Sequence, residues 1–279
     1  MDTRIGLLIE FMAYAPYQPA TNYWRSVEVE EVIGYVLPNG QGLDLGCGDG
    51  HLMAILLSHV GQRDLVGLDI DEQETAMARG RKIYREVATA TADKLPFPAS
   101  EFDFVFSNSV LEHIANIDGT LAEVARVLRP GGRFLFTVPG PDFHQCLKGP
   151  RFNGDRNLYL RDIDARCYHL RYWSAAEWSE HLQMAGLRLV HHREYLTQGQ
   201  VQRWEWIARN TSGILYSLTG KKEHPIEIQR KLRVRKSRVL FPHFLASLSA
   251  RFLSAAPRSN GSAYGCLLIE ARKTQALAE

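Results

Sequence analysis

Between residues 41 and 140 short apolar runs alternate with stretches whose apolar residues recur at helical spacing, the pattern of βαβ units built on a parallel sheet. Gly42 to Leu45 reads as a first strand that ends in a cluster of glycines. His51 to Val60 follows as a helix, with Leu52, Ile55, Leu56 and Val60 on one face. Leu65 to Ile70 is a second buried strand, Glu72 to Glu86 a charged helix, Ala88 to Ala92 a third strand and Phe102 to Phe106 a fourth. Ile117 to Leu128 is amphipathic at helical period. It stops at Arg129-Pro130-Gly131-Gly132, because proline cannot continue a helix and glycine accepts the left-handed turn beyond it. Arg133 to Val138 is the fifth strand.

The rhythm then breaks. Pro139 to Tyr172 is polar, rich in arginine and aromatic residues and without a clear period, and reads as a loop with one short helix. Order returns at Ser174-Ala175-Ala176-Glu177, a capping box that opens a helix running through Ala185 and ended by Gly186. Leu187 to Leu196 and Ala263 to Ala271 are the last two strands. The stretch between them is too long for a hairpin connection. Within it Phe241, Phe244, Leu245, Leu248 and Phe252 share a helical face. This divides the chain into an N-terminal helical and aromatic lid (1–40), a core (41–197), a basic amphipathic insertion or cap (198–258), and the last core strand with its tail (259–279).

Composition sharpens this in three respects. The 279 residues are 45% hydrophobic and 23% charged, which suits a globular domain with a substantial core. Cys47, Cys146, Cys167 and Cys266 are far apart and form no metal or redox pair, so they read as reduced thiols of a cytoplasmic protein. Neither a secretory leader nor a run of about 20 apolar residues is expected. The net charge of +2 conceals a local imbalance: residues 198–258 hold 12 Lys/Arg against 3 Asp/Glu, and the rest of the chain 21 against 28.

The chemistry concentrates at Asp44-Leu45-Gly46-Cys47-Gly48-Asp49-Gly50, a strand that ends in an acid and alternating glycines before a helix. Glycine there lets the backbone turn sharply and approach a ligand. Asp69 ends the next strand, where a carboxylate can accept hydrogen bonds from both hydroxyls of a ribose. A dinucleotide enzyme wants G-x-G-x-x-G to seat a diphosphate on a helix N-terminus. This chain has G-x-G-x-G preceded by Asp44, which better suits a ligand carrying positive charge.

The pieces recur in order in a known family. The loop from Asp44 to Gly50, Gly67-Leu68-Asp69-Ile70, Ala92-Asp93-Lys94-Leu95-Pro96-Phe97, Phe102-Asp103-Phe104-Val105, Ser109-Val110-Leu111-Glu112-His113 and Val127-Leu128-Arg129-Pro130-Gly131-Gly132 together resemble the class I S-adenosylmethionine-dependent methyltransferases, in particular the ubiquinone-type and related small-molecule subgroup. The resemblance covers residues 40–140 best and says nothing of the insertion. It implies a Rossmann-like, doubly wound seven-stranded α/β sheet, mostly parallel with one antiparallel strand, and a helical insertion before the last strand. It also implies S-adenosyl-L-methionine as cofactor. Asp44, Gly46 and Gly48 would lie at the methionine portion, Asp69 at the ribose, Ile70 against the adenine, and Asp93 at the adenine amino group with Lys94 and Leu95 in the same stretch. Ser107 and Asn108 would line the methionine end.

A sulfonium already activates its methyl group, so no metal is required, and a general base would serve a hydroxyl or carbon acid. His113, His144 and His169 are the candidates, each with the alternative of packing or capping a loop. The N-terminal Tyr14, Tyr17, Tyr23 and Trp24 would either close over the site or pack the first helix. The acceptor is expected to be a small molecule, a lipid-linked intermediate or a glycan. The segment 221–258 would act as a cap that also touches an anionic membrane, whereas Trp204 and Trp206 are too little for a nucleic-acid groove. The rival reading is a binding or scaffolding protein that keeps the fold without catalysis. The intact Asp44, Gly46, Gly48 and Asp69 speak against it.

Overall fold

The computed structural model describes residues 3–35, 37–211, 213, 242–254 and 262–274. They fall into two compact units. One comprises Met1–Glu31, Asp142–Tyr168 and Leu196–Gly265, and the other Val32–Pro141, His169–Tyr195 and Cys266–Glu279.

The second unit carries the sheet. Its strands are β1 (Gln41–Leu45), β2 (Asp64–Asp69), β3 (Glu86–Thr89), β4 (Phe102–Asn108), β5 (Leu128–Pro139), β6 (Leu187–Thr197) and β7 (Tyr264–Lys273), in the order β3-β2-β1-β4-β5-β7-β6. The pairs β1–β2, β1–β4, β2–β3 and β4–β5 are parallel, and β7 runs antiparallel to β5. The central strands are continuous apolar runs because both faces of a parallel sheet are covered. Leu43, Leu45, Val66, Leu68, Val105, Phe134, Phe136 and Ile269 are buried in one cluster with Leu121 and Val124 of α5 (Ile117–Val127) and Trp178 and Leu182 of α8 (Ala175–Met184). Helix α8 opens with the expected capping box between Ser174 and Glu177. Strand order reverses direction between β1 and β4, and in such sheets ligands bind outside the carboxyl ends of the strands at that switch.

Three local expectations needed correction. Helix α4 (Glu72–Arg81) ends five residues earlier than the pattern predicted, with Lys82 in the left-handed region at φ 58°. The third strand lies at Glu86–Thr89 rather than Ala88–Ala92. It is a half-exposed edge whose register is fixed by pairing Val66 with Glu86 through to Asp69 with Thr89, and an Ala/Thr run carries no alternation that could reveal this. The stretch read as mostly loop holds two helices, α6 (Phe143–Cys146) and α7 (Arg156–Cys167). Only Ile163 of α7 is buried, so the helix shows no apolar period; it is started by Asp155, whose carboxylate accepts from Asn157 N and Leu158 N.

The first unit is helical. It contains α1 (Thr3–Tyr14), the start of α2 (Pro19–Tyr35), α6, α7, α9 (Gln198–Asn210) and α10 (His243–Ser254). Tyr23 is fully buried, and the Trp24 ring packs edge-on against Phe143 and Trp204, so these two aromatics serve packing. The buried Glu205 of α9 accepts hydrogen bonds from Lys148 N, Gly149 N, Tyr159 Oη and Arg209 Nη2 at 2.5–3.2 Å. Helix α10 turns Ala246, Ala250 and Leu253 inward and packs along α1, while Phe244, Leu245, Leu248 and Phe252 face outward. Phe241 and the basic residues from 221 to 238 lie outside the described residues.

Gly42 of β1 has the ring of Phe104 directly over it, 2.1 Å from where a Cβ would stand. Replacing Gly42 by alanine should therefore cost about 1–3 kcal/mol of overpacking. Thermal unfolding followed by circular dichroism checks this; an unchanged melting temperature would mean that the ring can move aside.

Candidate functional site

The glycine turn after β1 is tied to β2. Gly46 N and Cys47 N both donate to Leu68 O, at 2.7 and 2.9 Å. Gly46 has φ 80°, and a Cβ there would meet Val110 at 2.4 Å; it must be glycine on both counts. Gly48, at φ 52°, has open space where its Cβ would be, so the backbone there lies bare to an incoming ligand. Asp69 Oδ2 accepts from Gly48 N at 2.9 Å and Oδ1 from Asp71 N at 2.9 Å. Each carboxylate oxygen has two acceptor sites, so both oxygens keep one for a ligand hydroxyl. Burial raises the Asp69 carboxyl above the usual range, against these two backbone hydrogen bonds.

Asp44 lies below the turn and is buried. Tyr84 Oη donates to its Oδ2 at 2.5 Å. Burial drives the Asp44 carboxyl up to about 7, offset by the Tyr84 hydrogen bond and reinforced by the charge of Asp69. Tyr84 escaped the sequence reading because it fell inside the overlong helix; with α4 ending at Arg81, the ring folds back beneath Gly50 and Gly67. Asp49 is held by Arg81, whose Nη2 lies 3.2 Å from its Oδ2. Burial also raises the Cys47 thiol well above its ordinary value, so it is not a nucleophile.

The remaining residues named for the donor lie in the same compact unit. Ile70 is 72% exposed, an apolar side chain open to a flat ring. Asp93 accepts from Asn116 Nδ2 at 2.9 Å, which lowers its carboxyl pKa, and Asn116 in turn caps α5. Lys94 is exposed. Leu95 is buried, its N–H donating to Glu123 and its carbonyl accepting from Arg126. Ser107 is fully buried and donates to Leu45 O at 2.9 Å, supporting the turn from below. Asn108 closes β4 opposite Thr137.

The histidines separate. His113 ends the short turn Leu111–His113, three residues beyond the Val110 that packs on Gly46, and His169 lies beside it with ring centroids 5.5 Å apart. Leu170 N donates to Glu112 O at 2.9 Å and so brings the two segments together. Glu112, His113 and His169 present ligand atoms within 4.8 Å of one another, a group that no spacing along the chain could reveal. His144 belongs to the helical unit, where its Nε2 is 2.8 Å from Asp164 Oδ1. A cavity of about 190 Å³ lined by Tyr17, Arg166, Cys167 and Trp204 also belongs to that unit.

The sheet order and the turn define a doubly wound α/β domain with an open glycine turn at the carboxyl ends of β1 and β2. Residues 43–136 match the family model described as a methyltransferase domain. The chain is 31% identical over 170 residues to the "Probable S-adenosylmethionine-dependent methyltransferase" of Mycolicibacterium smegmatis, covering 60% of each chain. It is 35% identical over 118 residues to the demethylmenaquinone methyltransferase of Symbiobacterium thermophilum, 40% of this chain and 47% of that one. Among solved structures, the [4+2]-cyclase SpnF superposes with a TM-score of 0.55 at 18% identity over 89% of this chain and 81% of that one, a likeness of fold. The chain thus spans less than two thirds of the length of these two curated relatives. Over residues 43–136 the chain is thus similar to methyltransferase domains, and the Mycolicibacterium smegmatis relative is named for dependence on S-adenosylmethionine. The open backbone at Gly48, the free acceptor positions of Asp69 and the uncovered Ile70 fit that cofactor.

A carboxyl whose pKa is raised in the folded protein holds its proton more tightly there, so ionising Asp44 costs stability as pH rises towards 7, and a cationic ligand recovers that cost. Affinity for S-adenosylmethionine should accordingly rise with pH, by up to about tenfold per unit below pH 7 and little above it. Calorimetry from pH 5.5 to 8.5 tests this, with Asp44→Asn expected to flatten the profile. A wild-type affinity independent of pH would show that Asp44 does not sense the ligand's charge.

Proposed function

We propose that this protein transfers a methyl group from S-adenosylmethionine to a nucleophilic atom of a small or lipid-linked acceptor. The observation that carries the reading is the glycine turn, pinned to β2 and open at Gly48, with Asp69 beside it. Bound there, the cofactor supplies an electrophilic methyl on a positively charged sulfur.

The chain's own residues do the rest. Gly46 and Gly48 admit the methionine portion to close backbone contact, and Asp44 and Asp69 balance its positive charge. Asp69 accepts from the ribose hydroxyls, Ile70 supports the adenine, and Asp93 with the main chain around Lys94 and Leu95 borders the amino group. Asn108 and the Val110 to His113 segment flank the reacting end, with His113 and His169 on the acceptor side. Aligning the acceptor and excluding water are the tasks left to the protein.

Relatives are named for acceptors as different as demethylmenaquinone and malonyl-[acyl-carrier protein], so they leave the acceptor open. The lipid-linked class is favoured by α10. Helix α10 carries apolar side chains on an outward face as well as on the face that meets α1. One side of α10 packs on α1, while Phe244, Leu248 and Phe252, at 74, 59 and 65% exposure, face outward beside Trp206 of α9. Arg203 lies over the Trp206 and Phe252 rings, and Arg251 is exposed on the same helix. Aromatic and leucine side chains bordered by arginines suit an anionic lipid surface. No described helix is long and apolar enough to cross a membrane.

Two measurements test these readings. Gly48→Val and Asp69→Asn should each weaken S-adenosylmethionine binding at least about tenfold, which corresponds to about 1.4 kcal/mol; a wild-type chain that binds neither the cofactor nor its demethylated product would refute methyl transfer. Phe244→Ser with Phe252→Ser should abolish co-sedimentation with phosphatidylglycerol vesicles while cofactor affinity is unchanged. Equal sedimentation of wild type and variant, or none by wild type, would remove the lipid contact. A change from dimer to monomer in the variant would reassign the patch to a second copy.

A further inference from the structure

We propose that Glu112, His113 and His169 together bind a divalent first-row transition-metal ion. The ligand atoms lie within 4.8 Å of one another, and His113 Nε2 is 3.8 Å from Glu112 Oε1. Neighbouring ligands around one ion at about 2.1 Å stand about 3.0–3.6 Å apart, so side-chain shifts of about an ångström close the site.

Two features besides the cluster itself favour an ion, in a place where Glu112 is almost wholly buried and its charge is therefore little screened by water. The His169 ring is oriented from behind, with Nδ1 sharing a 3.0 Å hydrogen bond with Tyr172 Oη, the outer-shell support that directs the opposite nitrogen to a metal. The backbone bond from Leu170 N to Glu112 O also clamps the two segments, so the three ligands are held before any ion arrives.

Two imidazoles and one carboxylate suit Mn²⁺, Fe²⁺, Co²⁺ or Zn²⁺ better than Mg²⁺ or Ca²⁺. With only three protein ligands, and His113 one-third exposed, coordination positions stay open to solvent. An acceptor oxygen entering one of them would have its hydroxyl acidified by the ion, so the imidazoles would hold the ion instead of taking the proton themselves. That role rests on the methyl-transfer reading; the ion site itself does not.

The test uses the full chain, stripped with chelator and titrated with Mn²⁺ while the free-ion signal is followed by electron paramagnetic resonance, with S-adenosylmethionine affinity measured by calorimetry on the same samples. One Mn²⁺ per chain is expected. Glu112→Gln, His113→Gln and His169→Ala should each weaken Mn²⁺ binding at least about tenfold and retain cofactor binding, while His144→Ala, at a carboxylate-paired histidine of the helical unit, should leave Mn²⁺ binding unchanged. Absence of Mn²⁺ binding at millimolar concentration overturns the proposal. So does binding that survives the three variants, or variants that lose Mn²⁺ only together with the cofactor. A wild-type chain that binds Mn²⁺ but not the cofactor would sink the methyl-transfer reading and leave the ion site standing; the converse result would do the reverse.

Discussion

One carbonyl holds the site in place. Leu68 O accepts from both Gly46 N and Cys47 N, so the turn that leaves β1 takes its position from β2 and not from the strand that precedes it. Asp69, the next residue, then catches Gly48 N with its side chain. The parallel register that sets Leu45 opposite Leu68 is therefore a constraint on the ligand site as much as on the sheet. Shifting that pairing by one residue would turn Leu68 and Asp69 to opposite faces and undo both anchors together.

The charge arrangement follows from the same geometry. Asp44 and Asp69 are drawn towards one turn, where burial raises both carboxyl groups, and a tyrosine hydroxyl and backbone amides make their confinement tolerable. A diphosphate would find such a place hostile. A positively charged nucleoside relieves it, which is the physical distinction between this turn and a dinucleotide loop on a similar sheet. Sheet order alone could not make that distinction, since one fold hosts many functions.

What could be read from residues alone was whatever two-sided burial or turn chemistry writes into a local pattern. Six of the seven strands, the glycine turn and the Ser174 capping box belong to that class, while the doubly wound topology came from the family resemblance. Features set by a distant partner were not legible. Strand β3 takes its register from β2 across an exposed edge, and α7 buries a single isoleucine. Tyr84 was hidden by a helix end whose left-handed position is taken by Lys82 and not by a glycine. The meeting of Glu112 and His113 with His169 depends on a backbone contact between segments more than fifty residues apart. Acceptor recognition lies beyond the pattern for the same reason, because it is made by groups whose neighbours in space are not their neighbours in sequence.

The two compact units are each assembled from three separate stretches of chain, and their boundaries fall after residues 31, 141, 168, 195 and 265. Neither can be cut out as one continuous piece of the gene. The Rossmann half is incomplete until residues near position 270 have been synthesised, because β7 fills the gap between β5 and β6. During translation the sheet must therefore wait, with β5 presenting an unpaired edge, until β7 has left the ribosome.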